Sequence, residues 1–288
     1  MSARELLSRL DEFATLPEVA MRVTRALDDP DVDLDDVVEM IELDATLAAL
    51  LVKMANSAIF GVSGRADTVR KALLRLGTTE TRNAVITASL MRALPPLPDP
   101  YDIRDFWVLG LASGMVARQL ARDLKYTDPE LAYLAGLVHC LGEAYLAVLY
   151  TDRVVGVIDA WRGSGEDFED RLTREFDCEI PEITAGVLES WNFPREIVVA
   201  VREHWHPERN PQCEVLAGLI LAADRLCRDL GLGVVDPGPD ERTWIADVPY
   251  SLEDALAENG YPDLTFYLLE LQGTLEEIRE FATSVFSG

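Results

Sequence analysis

Apolar residues recur three and four places apart along most of this chain, the spacing of one face of a helix, and no stretch alternates as a half-buried strand does. A short amphipathic helix is expected over 5–14, ending near Leu16-Pro17. Pro17 suits the first turn of a second helix, on which Val19, Val23, Ala26 and Leu27 share a face. Asp28-Asp29-Pro30-Asp31 reads as a turn. Helices follow over 34–43, with Asp33 as cap, and over 45–56, with Asp44 as cap and a stripe of Leu47, Leu50, Leu51 and Met54. Asn56 opens the reversal 56–61 and is suited to bonding neighbouring backbone there. A helix over 68–76 is expected to stop at Gly77, which tolerates a left-handed cap, and another to begin at Thr78 or Thr79 and run through Asn83, Val85, Ile86 and Leu90.

Pro95-Pro96-Leu97-Pro98-Asp99-Pro100 cannot be helical throughout, because proline removes donors and restricts its predecessor. It divides an N-terminal helical subdomain, 1–97, from a second, 98–232, with a C-terminal helical extension at 233–288. The second subdomain opens on a long helix, 105–124, whose Gly110, Ala112, Ser113 and Gly114 permit close packing. Shorter helices are expected over 154–161 and 168–176, flanking a Gly163-Ser164-Gly165 turn, and over 183–191, 196–204 and 215–230. A Gly- and Pro-rich loop, 231–239, leads to two tail helices near 252–258 and 264–286. The fold class is all-α.

The middle of the second subdomain, 131–149, is apolar nearly all round and reads as one buried helix at the centre of the fold. His139 interrupts it and Glu143 follows four residues later, on the same helix face. A buried histidine beside a carboxylate is either a satisfied polar pair or part of a site. The stretch is long enough to span a bilayer, but a charge near the middle of a span costs about 2.5–3.5 kcal/mol, which favours a core helix.

The chain has 288 residues, with 26 Lys and Arg against 51 Asp and Glu, a net charge of −25. That balance repels phosphate backbones, so no direct nucleic-acid contact is expected despite the local group Arg65, Arg70, Lys71 and Arg75. Cys140, Cys178, Cys213 and Cys227 form no close pair, as suits a reducing, cytoplasmic setting. The N-terminus, MSARELLSRL, is amphipathic rather than a signal peptide.

"LPEVAMRV", "IELDATLAALLVKMANSAIFG" and "ALLRLGTTETRNAVI", followed in order by "FWVLGLASGMVARQLA", "LAGLVHCLGE", "WNFPREIVVAVREHWHP" and "LAADRLC", resemble the HDOD family, the HD-related output domain of bacterial signalling proteins. In the related HD phosphodiesterases the resemblance implies metal ligands at five places. This chain has Leu109 at the first, His139-Cys140 in place of His-Asp at the second, and Ile180-Pro181-Glu182 without histidine at the third. His204-Trp205, with His206 beside it, stands at the fourth and Asp224 at the fifth; Glu143 stands where those enzymes carry lysine. The remnant pocket is therefore His139, Glu143, His204 and Asp224. A structural His139–Asp224 or His204–Asp224 hydrogen bond is the expected use, with no cofactor and no catalytic residue. Cys140 is expected to be an inert buried thiol, Trp191, Phe193 and Trp205 core residues, and the acidic runs 28–36 and 166–170 solvated faces and caps.

The function that the resemblance implies is a non-enzymatic signalling module, linked to a two-component or second-messenger system. Its partners would be signalling proteins, met at a groove between the two bundles, with no membrane. The rivals are a degenerate metal-dependent phosphohydrolase, holding a divalent metal, and a small-ligand (nucleotide) sensor using the remnant pocket.

Overall fold

The structure is a computed structural model. It describes residues 3–13, 18–27, 29, 31–57, 65–99, 101–162, 164, 166, 168–229, 231–232, 273, 276–281 and 284. Every regular element among the described residues is helical, so the all-α class holds. Two compact units emerge, and neither is one continuous stretch: residues 14–95 pack with 276–288, and residues 1–13 pack with 96–275.

The first of these units contains α2 (Glu18–Leu27), α3 (Leu34–Glu42), α4 (Ala45–Ala55) and α5 (Val69–Ala93). Asp33 caps α3 by accepting from Asp35 N–H, and Asp44 caps α4 by accepting from Thr46 and Leu47 N–H. α5 is broken at Gly77, whose φ of 75° and ψ of 175° lie outside the helical region. Asn56 bonds backbone on both sides of the reversal. Its Nδ2 donates to Val52 O at 2.9 Å and Ala66 O at 2.7 Å, and its Oδ1 accepts from Ala66 N–H at 2.8 Å. Residues 276–281 are helical, and Lys53 Nζ donates to the carbonyl of Ser284. The reversal at Phe60-Gly61, Leu16-Pro17, the turn glycines 163 and 165, the loop beyond Leu232 and the tail helix at 252–258 lie outside the described residues.

The other unit contains α1 (Ala3–Leu6) with a 3-10 turn over Leu7–Glu12, then α6 (Ile103–Asp123), α7 (Pro129–Val138), α8 (Leu141–Leu149), α9 (Thr151–Trp161), α10 (Phe168–Phe176), α11 (Ile180–Ser190), α12 (Arg195–Glu203) and α13 (Glu214–Asp229). Its N-terminal segment crosses the whole of residues 14–95 in sequence to reach this unit. Tyr145 and Tyr150 both donate their hydroxyls to Leu6 O, at 2.5 and 3.1 Å, and Arg9 donates to Leu149 O. Phe13 stacks on Trp191 and meets Tyr145 edge-on.

α6 and α7 pack most closely of all. A Cβ on Gly110 would come within 2.8 Å of Leu137 O, one on Gly114 within 2.8 Å of Tyr133 O, and one on Gly136 within 2.7 Å of Ser113 O. The small residues therefore do what their pattern suggested. They let two backbones touch, and the carbonyl of Gly136 is fixed by that contact.

The apolar stretch expected as a single helix is two. α7 ends at Val138, His139 and Cys140 form a turn, and α8 begins at Leu141. Both helices are apolar on every side, so the hydrophobic pattern runs unbroken across the joint and hides it. Pro129–Leu149 is long and apolar enough to cross a membrane by composition, and 83% of that window is buried inside the protein.

Candidate functional site

The turn between α7 and α8 sets the first histidine. Thr184, on α11, clamps it: Thr184 Oγ1 accepts from Gly142 N–H at 2.9 Å and lies 3.1 Å from the carbonyls of both His139 and Ile180. Gly142 leaves no room for a side chain, since a Cβ there would stand 2.6 Å from Thr184 Oγ1. His139 Nδ1–H donates to Gly136 O at 2.6 Å, and Nε2 lies 3.0 Å from Asp224 Oδ1 on α13.

Both of those partners only accept. With Asp224 ionised, this geometry favours a proton on each ring nitrogen. Burial is the largest influence and opposes that charge, but Asp224 and the two hydrogen bonds outweigh it and raise the His139 pKa. Burial likewise pushes Asp224 upward, and the charges of Arg228 and His139 overcome it, holding the carboxyl well below its ordinary range.

His204, just beyond α12, meets His139 edge to face, with ring centroids 5.7 Å apart. Its Nδ1–H donates to Val201 O at 2.6 Å. Burial and the neighbouring His139 charge push its pKa down to about 3, so it is neutral. His206 stands outside this group, half-exposed, near Glu179 and Glu208.

Glu143 does not pair with His139 across a helix face. It lies in the first turn of α8 and binds Arg228. Arg228 is the centre of the site. Its Nε lies 2.8 Å from Asp224 Oδ1, and its Nη2 lies 3.1 Å from Glu143 Oε1 and 3.1 Å from Glu169 Oε1. Arg225 reaches the other oxygen of Glu169 at 3.7 Å. Burial pushes the Glu169 carboxyl up to about 7, with Arg228 opposing. Asp224 Oδ2 and the Tyr101 hydroxyl are buried without a hydrogen-bond partner. Burial, then the charge of Glu143, raise the Tyr101 phenol well above its usual value.

Four expected residues thus converge in one unit: His139, His204 and Asp224 directly, and Glu143 through Arg228. Arg228, Glu169, Arg225 and Tyr101 were not anticipated. The expectation that 166–170 is a solvated run fails at Glu169, which is 7% exposed. It lies on the buried side of the amphipathic helix α10, with Phe168, Leu172 and Phe176, and reaches Arg225 and Arg228 on α13. Trp191 is core, while Phe193 and Trp205 are half-buried rather than core. The spacing of Asp224 and Arg228, four apart on one helix, was the signal available for the arginine.

The ligand set with which HD hydrolases hold a divalent metal is incomplete here. Leu109 has no donor atom, and burial pushes the Cys140 thiol well above its ordinary pKa. Both ring nitrogens of His139 are engaged, by Gly136 O and Asp224, and Oδ1 of Asp224 is shared between His139 and Arg228. Among the described residues, no three His, Cys, Asp or Glu side chains are grouped to hold a metal.

Comparison with known proteins agrees with the fold. The chain is 28% identical over 215 residues to an uncharacterized protein of Treponema pallidum, covering 73% of this chain and 41% of that one, so it spans about two fifths of that relative's length. A crystal structure of an HDOD domain protein of unknown function from Geobacter sulfurreducens is similar, with a TM-score of 0.80, 23% identity and coverage of 99% and 97% of the two chains. So is a candidate phosphohydrolase of Shewanella amazonensis SB2B, with a TM-score of 0.74, 26% identity and coverage of 96% and 97%. A candidate signal transduction protein of Marinobacter aquaeolei VT8 gives a TM-score of 0.73 and 25% identity over 95% of this chain and 60% of that one. The HDOD domain pattern itself matches residues 13–207, most of the chain, and on that match the protein belongs to the HDOD family.

Proposed function

We propose that this protein is a non-enzymatic output module of bacterial signal transduction that works through protein contacts. The observation that carries this reading is the state of the pocket. Both ring nitrogens of its histidine are engaged, its carboxylates face Arg228, and the position after His139 is a buried thiol, Cys140. Phosphoester hydrolysis by this superfamily's chemistry needs a metal that activates water and clamps phosphate, and these side chains are committed elsewhere. Membership of the HDOD family and the similarity to a candidate signal transduction protein support a signalling role. A net charge of −25 favours partners that present basic surface. Four unpaired cysteines suit a reducing, cytoplasmic setting.

The test is metal analysis of the purified chain with a phosphodiesterase assay on nucleotide and generic ester substrates. The expected result is no turnover with Mn²⁺, Mg²⁺ or Fe²⁺. Turnover that disappears in His139→Ala would establish the hydrolase instead. A thermal-shift response to a nucleotide, lost in the same variant, would favour the small-ligand sensor.

A further inference from the structure

We propose that Arg228 performs the electrostatic task of a metal ion in this pocket, and that the three carboxylates around it become a hard divalent-cation site when its side chain is removed. The inference rests on the reading that the native pocket carries no metal. Three carboxylates from three separate helices, Glu143 on α8, Glu169 on α10 and Asp224 on α13, converge on one guanidinium at 2.8–3.1 Å. All three are buried, at 3%, 7% and 0% exposure. Carboxyl groups so enclosed are held in their charged forms by a cation, and the burial that raises the Glu169 pKa to about 7 is what Arg228 opposes. In a metal site that cation is the ion; here it is a covalent part of α13.

The geometry also says which ion could replace it. The groups bound to Arg228 are all carboxylate oxygens, a set that selects hard cations such as Ca²⁺, Mn²⁺ and Mg²⁺ over softer ones. The three oxygens now sit on two guanidinium nitrogens, Nε and Nη2, so they must draw inward around a single ion; calcium, with oxygen distances of about 2.3–2.6 Å and tolerance of irregular geometry, asks the least of that movement. Asp224 Oδ2, buried and without a partner, is a donor already to hand. The Arg228 side chain is 19% exposed, so the space it vacates opens to solvent and gives an ion a way in. The site would differ from the HD hydrolase set, because His139 remains bonded to Gly136 and Asp224 and contributes no ligand.

The experiment compares full-length wild type, Arg228→Ala and Arg228→Lys by thermal unfolding with and without millimolar Ca²⁺ or Mn²⁺. Bound Mn²⁺ is counted by electron paramagnetic resonance. Arg228→Ala is expected to melt well below wild type without divalent ion and to recover most of that loss with it. It should bind one Mn²⁺ per chain more than wild type. Adding Glu143→Gln and Glu169→Gln should abolish both effects, and Arg228→Lys, which keeps a cation, should show neither. Arg228→Ala that melts alike with and without ions, or that fails to fold even when refolded in their presence, would overturn the proposal. Wild type that binds Mn²⁺ and loses it in His139→Ala would overturn the prior reading of a metal-free pocket, an outcome separable from silence in Arg228→Ala alone.

Discussion

His139 and His204 touch edge to face yet their pKa values are driven in opposite directions, and the reason lies in single atoms. His139 has an acceptor at each nitrogen, one of them a carboxylate; His204 has a carbonyl at Nδ1 and a cation for a neighbour. The pH response follows with its sign. A histidine whose folded pKa is depressed, from 6.5 to about 3, contributes stability that is present above 6.5 and lost as pH falls toward 3. Urea denaturation should therefore show wild type losing stability relative to His204→Asn across that window, by about 1.4 kcal/mol for each pH unit crossed. Glu169 acts in the other direction. Its folded pKa is raised from 4.5 to about 7, so its contribution is present below 4.5 and lost as pH rises through 7, and Glu169→Gln should remove that component. Asp224→Asn takes the counter-charge from His139, while Arg228 keeps Glu143 and Glu169. An unpaired buried charge costs about 3–5 kcal/mol, and the same denaturation measurement should find a loss of that order. Resemblance made His139, His204 and Asp224 legible in the sequence. Arg228 was signalled only by its spacing from Asp224, and Glu169 not at all, because it sits in a run of acids that reads as solvated and no local pattern announces a partner more than fifty residues away.

Among the helices, the α6–α7 contact decides where the site can be. Gly136 touches Ser113 backbone on one side and supplies the carbonyl that holds His139 on the other. Gly136→Ala would force these helices apart. Such overpacking costs about 1–3 kcal/mol, measured as a lowered unfolding midpoint. The variant should also shift the His139 ring resonances by NMR, whereas Gly156→Ala, where a Cβ meets nothing within 4 Å, should do neither. At this scale much could be read in advance. The Asp33 and Asp44 caps and the stop at Gly77 each follow from a local rule that tertiary packing leaves alone. The joint at His139-Cys140 could not be read, because a break between two helices apolar on all faces leaves the periodicity intact. The first helix is likewise shorter than its pattern, giving way after Leu6 to a 3-10 turn. Leu7 there lies against Gly186, at which a Cβ would meet it at 2.4 Å, so tertiary contact overrides local preference.

Taken whole, the molecule combines a strongly acidic surface with a pocket in which charges are matched. Unmatched surface charge repels itself and is screened by salt, while buried pairs are screened little. Raising ionic strength from low to physiological should therefore increase the melting temperature of wild type. The increase should be nearly the same in Glu169→Gln, since the screened charges lie elsewhere. The all-α class was legible from periodicity alone. The composition of each compact unit was not, since the pattern along a chain says where helices are but not which distant helix each one covers.

That last point bears on synthesis. Leu6 finds its tyrosine partners 139 and 144 positions later, and residues 14–95, most of the other unit, lie in between. At about 5–20 residues per second, the ribosome spends roughly seven seconds or more making what this segment must wait for. Until then Leu6 and Phe13 lack Tyr145, Tyr150 and Trp191, the partners that cover them in the finished unit, so this apolar segment must wait for more than half of its own unit to be made.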